Sequence, residues 1–357
     1  MVKFAPLTSQ QIQKIVVERK RAEPSIFMDR FYTTVVRSKT ATIAIEDLPE
    51  SGRKLAPRVS PIVPGKPISK QGSEVKAVKP TYLKLNTPVD PNRNVMVSGS
   101  DVFGLFSADP ETEIVRERSR IIDEHTSRIY RTWEYMGACA AIDGFVDTEY
   151  EGAPQARVNF GRDPSLTVTK LPAAYWGASG VSVLDDIQDF KRLMNDAVNG
   201  GKAAIMLVGS KVAAFLVKQA REGGELHELL DTRYGAESAF IRGLRGDEPV
   251  TYLGRLSGML DIYEYDAAYE TLDNDGNVVT KRPLEANEIA MFAADFGGVA
   301  AFARIEDMAA NYQPLPVFGR NFVVEGDPQR EVVAHQSAPI MIPTAPNRTF
   351  KATVMAP

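Results

Sequence analysis

Residues 46–105 hold eight prolines: Pro49, Pro57, Pro61, Pro64, Pro67, Pro80, Pro88 and Pro91. Each fixes φ, removes an N–H and pushes the preceding residue out of the helical region, so no helix crosses this stretch. Gly52, Gly65, Gly72 and Gly99 interrupt it further. Short extended runs remain at 55–63, 68–71 and 73–85, and they read as a long hairpin with little apolar content. A hairpin of that kind buries too little surface to be stable alone. Between Arg53 and Lys84 eight basic residues (Arg53, Lys54, Arg58, Lys66, Lys70, Lys76, Lys79, Lys84) stand against one acid, Glu74. Two readings follow. The segment is a flexible linker, or it is a projecting loop that becomes ordered on the acidic surface of a partner.

The flanking sequence is of a different kind. Residues 1–45 have the character of an arm, with a short amphipathic helix expected at 10–21 and an extended strand at 33–45, where Thr, Val and Ile alternate weakly. The alternative for this arm is a frayed terminus. After the proline-rich stretch, Asp109 is a good N-cap and Pro110 suits the first helical position. Glu111 and Glu113 complement the positive helix end. Ile114, Ile121, Ile122, Ile129, Trp133, Met136 and Ala140 then recur near helical period until Asp143-Gly144 ends the run. A helix from 110 to 142 spans roughly 50 Å at 1.5 Å per residue, which marks a scaffold element. Its other face carries Arg116, Glu117, Arg120, Asp123, Glu124 and Arg131, read as a solvated face.

Beyond residue 145 helices and strands mix. Short strands separated by Gly and Pro turns are expected at 145–182. A helix is expected at 185–199 with Asp185 or Asp186 near its cap, a buried strand at 203–208, a second helix at 210–221 and a strand at 260–265. Residues 269–282 read as a hairpin closed at Asn274-Asp275-Gly276-Asn277. A buried strand follows at 289–292, and strands dominate from Phe318 onward. The class is α+β, without internal repeats.

Chemistry is hard to find in this chain. Hydrophobic residues make up 44% and charged residues 25%, with a net charge of −4, which describes a globular chain and says little about partners. There is no apolar stretch of membrane-spanning length, and the start MVKFAPLTSQQIQKIVVERKR lacks an apolar signal core, so no secretion signal is expected. Cys139 is the single cysteine, excluding intrachain disulfides and thiolate metal sites; it reads as a buried, inert thiol. The three histidines, His125, His227 and His335, are far apart in sequence, and His125 reads as an ordinary surface residue of the long helix. Asp273-Asn274-Asp275-Gly276-Asn277 looks like the opening of a calcium loop, but Val278 stands where the loop needs Gly and Leu284 where it needs a bidentate carboxylate. Gly177-Ala178-Ser179-Gly180 lacks the spacing of a nucleophile elbow. Gly223-Gly224 and Gly297-Gly298 lack the lysine of a phosphate loop. No catalytic set, cofactor or metal is expected, although a carboxylate dyad among the many acids stays open.

Two blocks carry a resemblance. The loop holds Val59-Ser60-Pro61-Ile62-Val63-Pro64-Gly65, then basic strands and Val78-Lys79-Pro80. The C-terminal part holds Gly326-Asp327-Pro328-Gln329-Arg330-Glu331 and Gln336-Ser337-Ala338-Pro339-Ile340-Met341. Together, and in the order of their surrounding elements, they resemble the phage lambda type of major capsid protein, the major capsid protein E family. The match runs over nearly the whole chain, in outline only from about 145 to 250. The resemblance implies a Hong Kong 97-like fold. Residues 1–45 would be an N-terminal arm, 46–105 an E-loop and 106–184 a peripheral domain with its spine helix at 109–142. Residues 185–318 would be an axial domain, and 319–357 a return to the peripheral domain. It implies self-assembly into pentamers and hexamers of an icosahedral shell around double-stranded DNA, within a virion assembled in the host bacterial cytoplasm and without a membrane. Portal, scaffold, decoration protein, maturation protease and terminase would be partners. The E-loop residues Arg58, Val59, Ser60, Pro61, Ile62, Lys66, Lys70, Lys76 and Lys79 would touch a neighbouring subunit. Some relatives cross-link a loop lysine to an asparagine; Lys66, Lys70, Lys76 and Asn347 are available, but the lambda-like branch is better known for decoration. An encapsulin-like compartment shell shares the fold, and a soluble α/β enzyme is the remaining reading.

Overall fold

The computed structural model describes residue 12 and residues 25–46, 75–90, 110–148, 156–221, 230–231, 250–256, 260–272, 277–326 and 329–356. Along the chain run α1 (Phe27–Arg30), β1 (Thr34–Arg37), β2 (Ile43–Glu46), β3 (Val75–Val78), β4 (Leu83–Pro88) and α2 (Pro110–Ile142). Then come β5 (Phe145–Thr148), β6 (Ala156–Asn159), β7 (Thr167–Thr169), α3 (Val183–Asp196), β8 (Ala203–Val208) and α4 (Ser210–Arg221). They are followed by β9 (Leu230–Asp231), β10 (Val250–Leu256), β11 (Leu260–Tyr265), β12 (Tyr269–Leu272), β13 (Val278–Lys281), β14 (Glu288–Ala293) and β15 (Gly298–Phe302). The chain finishes with β16 (Phe318–Val324), β17 (Arg330–Ser337), β18 (Pro339–Pro343) and β19 (Thr349–Thr353).

The main layer is a mixed seven-stranded sheet in the order β7-β19-β14-β8-β11-β10-β9. Successive side chains of a strand point to opposite faces, and this sheet is buried on both at its centre. Met206, Val208, Ile262, Ile289 and Met291 pack with Val183, Ile187, Phe190 and Met194 of α3 and Val212 and Leu216 of α4. Leu207, Tyr263, Ala290 and Phe292 point the other way, into a second core with α1 and α2. The periodicity of α2 therefore has a partner: Ile121, Ile122, Ile129, Trp133, Met136 and Ala140 are all buried there. Two small sheets, β1-β15-β18 and β16-β17-β4, flank α2. β12 and β13 form the expected hairpin, with Tyr269 opposite Lys281, and Tyr269 stacks edge-on against Tyr135 of α2 at 5.4 Å.

The long helix stops where the sequence said it would. Gly144 adopts φ 76°, a conformation that disfavours side chains, and Arg162 donates to the terminal Ile142 carbonyl at 2.5 Å. Lys351 of β19 binds both Asp143 (2.9 Å) and Glu288 (2.8 Å), tying the helix end to the large sheet. Gly298 serves close packing instead of phosphate binding: a Cβ there would lie 2.3 Å from the Tyr32 ring.

Several expectations change. The strand expected at 33–45 is two strands, β1 and β2, in different sheets. Ser38 and Thr40 break it, their hydroxyls bonding each other at 2.7 Å and the Thr42 carbonyl. The helix expected at 185–199 begins at Val183, because Ser182 caps it by accepting from the Asp185 N–H at 3.1 Å. It ends at Asp196, before Asn199 at φ 55°. The extended run expected at 73–85 is two strands, β3 and β4, in different sheets, while the runs at 55–63 and 68–71 lie outside the described residues. β3 pairs antiparallel with β2, and β4 with β17. Of the arm helix expected at 10–21 only Ile12 is described, helical and buried; the Asp109 cap and residues 273–276 of the hairpin turn lie outside the described residues.

Candidate assembly site: the roots of the arm and the loop

α2 is the beam to which residues 25–28 and strand β4 are fastened. The fastening is polar and buried, and the sequence reading missed it. Glu134, 4% exposed, lies among the apolar positions of α2. Its carboxylate accepts from the backbone N–H of Ile26 (2.7 Å), Phe27 (2.7 Å) and Met28 (3.0 Å) and from the Ser25 hydroxyl (3.0 Å). These amides open the first turn of α1, where a negative charge is favoured. Burial pushes the Glu134 carboxyl up from its ordinary pKa, against the pull of its four donors. Phe27 and Phe31, held by this cap, pack on Phe292 at 6.0 and 5.3 Å.

The loop is fastened at two places. At its root β2 and β3 face each other with Glu46 opposite Val75 and Ile43 opposite Val78. On its return, Pro80 is buried and β4 zips onto β17 from Leu83–Ser337 to Pro88–Val332. Leu83 and Leu85 pack against the core. The Tyr82 hydroxyl bonds Gln336, whose amide donates to Asp307 at 2.8 Å. Arg320 completes that group on Asp307 at 3.2 Å.

The two stretches of the C-terminal resemblance block fall on and just before β17 and on β18, while the loop motif at 59–65 lies outside the described residues. Glu331, in the first C-terminal block, binds Arg118 of α2 at 2.6 Å and accepts from Asn321 at 2.8 Å. Gln336 and Ser337 of the second block are buried, and Ala338, Ile340 and Met341 are core. The α2 face read as solvated is therefore partly wrong. Glu117 of that face is buried and bound by Arg120 at 2.7 Å, and Arg118, which is not assigned to it, is buried beside Glu117. The reason is that β17 covers this turn of the helix. Glu331→Ala leaves Arg118 without its partner, and an expected loss of about 3 kcal/mol is checked by urea unfolding.

His125 is also corrected. It is 4% exposed, its Nδ1 lies 3.1 Å from Nδ1 of His335 on β17, and its Nε2 lies 2.8 Å from the Thr87 hydroxyl of β4. Nothing local in the helix sequence revealed this, because the covering strands come from residues 83–88 and 330–337. Burial pushes the Cys139 thiol up to about 12, so it stays protonated and weakly nucleophilic at neutral pH.

Of the loop residues expected to touch a neighbour, Arg58, Val59, Ser60, Pro61, Ile62, Lys66 and Lys70 lie outside the described residues. Lys76 stands in β3 opposite Ile45, and Lys79 is exposed just beyond that strand. Asn347 accepts from the Asp163 N–H at 2.8 Å and donates to the Val198 carbonyl at 2.8 Å, so its amide holds two turns together. The arm's own strand β1 is, among the described residues, an edge strand, exposed along its whole length, with Val35 and Val36 open to solvent. Beside it runs a groove of about 430 Å³ lined by Met28, Tyr32, Val35, Arg37, Trp133 and Phe302, and the buried indole N–H of Trp133 has no partner among the described residues. Among those residues no group of three metal-binding side chains occurs, and no helix is long and apolar enough to cross a membrane.

Residues 9–354 match the family model of phage major capsid protein E. The major capsid protein of Escherichia phage N15 is 26% identical over 350 residues, 95% of this chain and 96% of that protein. That of Escherichia phage lambda is 24% identical over 335 residues, 92% of this chain and 94% of that one. The crystal structure of a prophage capsid protein from E. coli CFT073 superposes with a TM-score of 0.75 at 20% identity, covering 99% of this chain and 100% of that one. With a fold in which one long helix carries a rooted arm and a rooted loop, the chain belongs to the phage major capsid protein E family and has the Hong Kong 97-like capsid fold.

Proposed function

We propose that this subunit builds its shell by laying the arm and the loop on neighbouring copies, giving pentamers and hexamers that close into an icosahedron around packaged double-stranded DNA. The observation that carries this reading is the asymmetry of the fastening. Residues 25–32 and 82–88 are tied to α2 and β17 by buried groups, whereas β1 offers an open backbone edge and two exposed valines. Edge strands with exposed apolar side chains are natural templates for pairing with another chain. Heterologous contacts that close on rotation generate rings, and many ion pairs of about 0–1 kcal/mol each sum over a closed shell. The eight basic residues between 53 and 84, including Arg58, Lys66, Lys70, Lys76 and Lys79, supply the loop's share.

On this reading α2 and the two small sheets form the peripheral domain and the seven-stranded sheet the core of the axial domain, to which β19 also contributes. The role is structural and needs no catalysis. Portal, scaffold and decoration proteins are the partners this architecture calls for, with assembly in the cytoplasm of the host. A net charge of −4 suits a container that must not grip a moving duplex, since phosphate binding scales with basic contacts. The double variant Val35→Glu, Val36→Glu tests the reading. Thermal unfolding of the subunit is expected to stay within about 1 kcal/mol of the parent, as for exposed sites, while closed particles in electron micrographs fall at least tenfold. Normal particle yield from this variant rejects the edge as a contact.

A further inference from the structure

The strongest unassigned feature is the histidine pair beneath the arm and the loop. Its nitrogens have a restricted set of protonation states. The Nδ1···Nδ1 contact at 3.1 Å holds one proton, on either ring. In the neutral pair the arrangement that suits the surroundings has His335 donating from Nδ1 and His125 donating from Nε2 to the Thr87 hydroxyl at 2.8 Å. His335 Nε2 is then a bare lone pair, which matches its burial without any hydrogen-bond partner among the described residues. A further proton, whichever ring receives it, leaves both Nε2 atoms protonated. His125 still has Thr87. His335 gains a buried N–H and a shared positive charge with no acceptor, and such a group is strongly disfavoured.

The space around His335 Nε2 decides what must give. A Cβ placed on Gly319 of β16 would meet Ile12 at 2.5 Å and His335 Nε2 at 2.9 Å, so both crowd the same side of Gly319. Ile12 belongs to the arm and is fully buried. The charged groups on the surrounding elements do not offset a proton here. Glu124 and Arg128 of α2 act on His125 in opposite senses. Glu331 on β17 is taken by Arg118, and Arg320 on β16 by Asp307. β4 brings only Lys84.

We infer that the His125–His335 pair is a proton-operated latch, which holds β4 of the loop against α2 and Ile12 of the arm beside β16 when neutral and releases them when protonated. Burial pushes His335 down to about 3 and His125 below its ordinary value, in agreement with the geometry. The closed state binds fewer protons than the open one. Its advantage is therefore complete above the ordinary histidine pKa near 6.5 and shrinks as pH falls through that value, by up to about tenfold per pH unit for each histidine.

Hydrogen exchange of the full chain, corrected for intrinsic rates and followed by mass spectrometry, tests this between pH 7.5 and 5.5, above the range where most carboxylates titrate. Opening of peptides covering 82–90 and 330–337 is expected to rise about tenfold, with no change in β8, β11 and β14. His335→Asn removes the Nε2 site and places an amide that can turn either way, donating to neutral His125 Nδ1 or accepting from it once protonated; no unpartnered N–H then forms, and the response is expected to fall below twofold. His125→Asn leaves His335 Nε2 in place and is expected to keep the response. A flat wild-type profile, a full response in His335→Asn, or its loss in His125→Asn alone overturns the latch. Should His335→Asn fail to fold, Ile12→Ala gives the answer. Opening the space around Nε2 to water is expected to cut the response below about threefold, and an undiminished response overturns the inference.

Discussion

Replacing residues 47–74 by an Asn-Gly turn is expected to give a folded subunit that no longer forms shells. Glu46 and Val75 are directly opposite in the β2–β3 ladder, so two residues of type I′ geometry close the hairpin without moving either strand. No described core residue is removed, and stability to urea should stay within about 1 kcal/mol of the parent. Light scattering is expected to find only small species where the parent gives particles. The cut must not extend to residue 85, as the low apolar content of 53–85 suggests. That longer deletion removes Tyr82, the buried Pro80 and the Leu83–Leu85 half of the β4–β17 ladder. Particles built by the short-turn variant rule the loop out as a contact segment. Unfolding of that variant shows instead that residues 47–74 belong to the core.

Glu134→Ala is expected to be the most damaging single substitution. It strands three buried amides and the Ser25 hydroxyl. Orphaned buried donors cost about 1–3 kcal/mol each, and local rearrangement recovers part, leaving an expected loss of about 3–5 kcal/mol. The damage should centre on α1: exchange protection of residues 26–32 is lost first, followed by the Phe27–Phe31–Phe292 packing. Glu134→Gln, which keeps one acceptor oxygen, falls between. A Glu134→Ala protein within 1 kcal/mol of the parent in urea unfolding shows that the aromatic cluster alone secures the arm.

These predictions differ in how far the sequence supports them. The loop proposal rests on composition: prolines forbid helix locally, and basic residues without apolar ones cannot form a core, and both properties are visible residue by residue. α2 was legible for a similar reason, since helical period, a first-turn proline and Gly144 are local signals. The polar fastenings were not. Glu134 has the spacing of a core position and the chemistry of a surface one. Its meaning depends on residues 25–28, which contact it only after folding. His125 looked exposed because the helix says nothing about which strands cover it. The single run expected at 73–85 split into β3 and β4 for the same reason: strand propensity does not specify a partner, and each half pairs elsewhere.

By itself, then, the sequence determined the α+β class, the long helix, the β12–β13 hairpin and, through its two motif blocks, the family. Those properties rest on backbone preference, hydrophobic period and short-range turn chemistry, which act over a few residues. Only the tertiary structure decided that Glu134 caps α1, that β4 belongs with β17, and that His125 and His335 meet. Each of those brings together groups far apart in the chain, joined by burial that removes water as the competing partner.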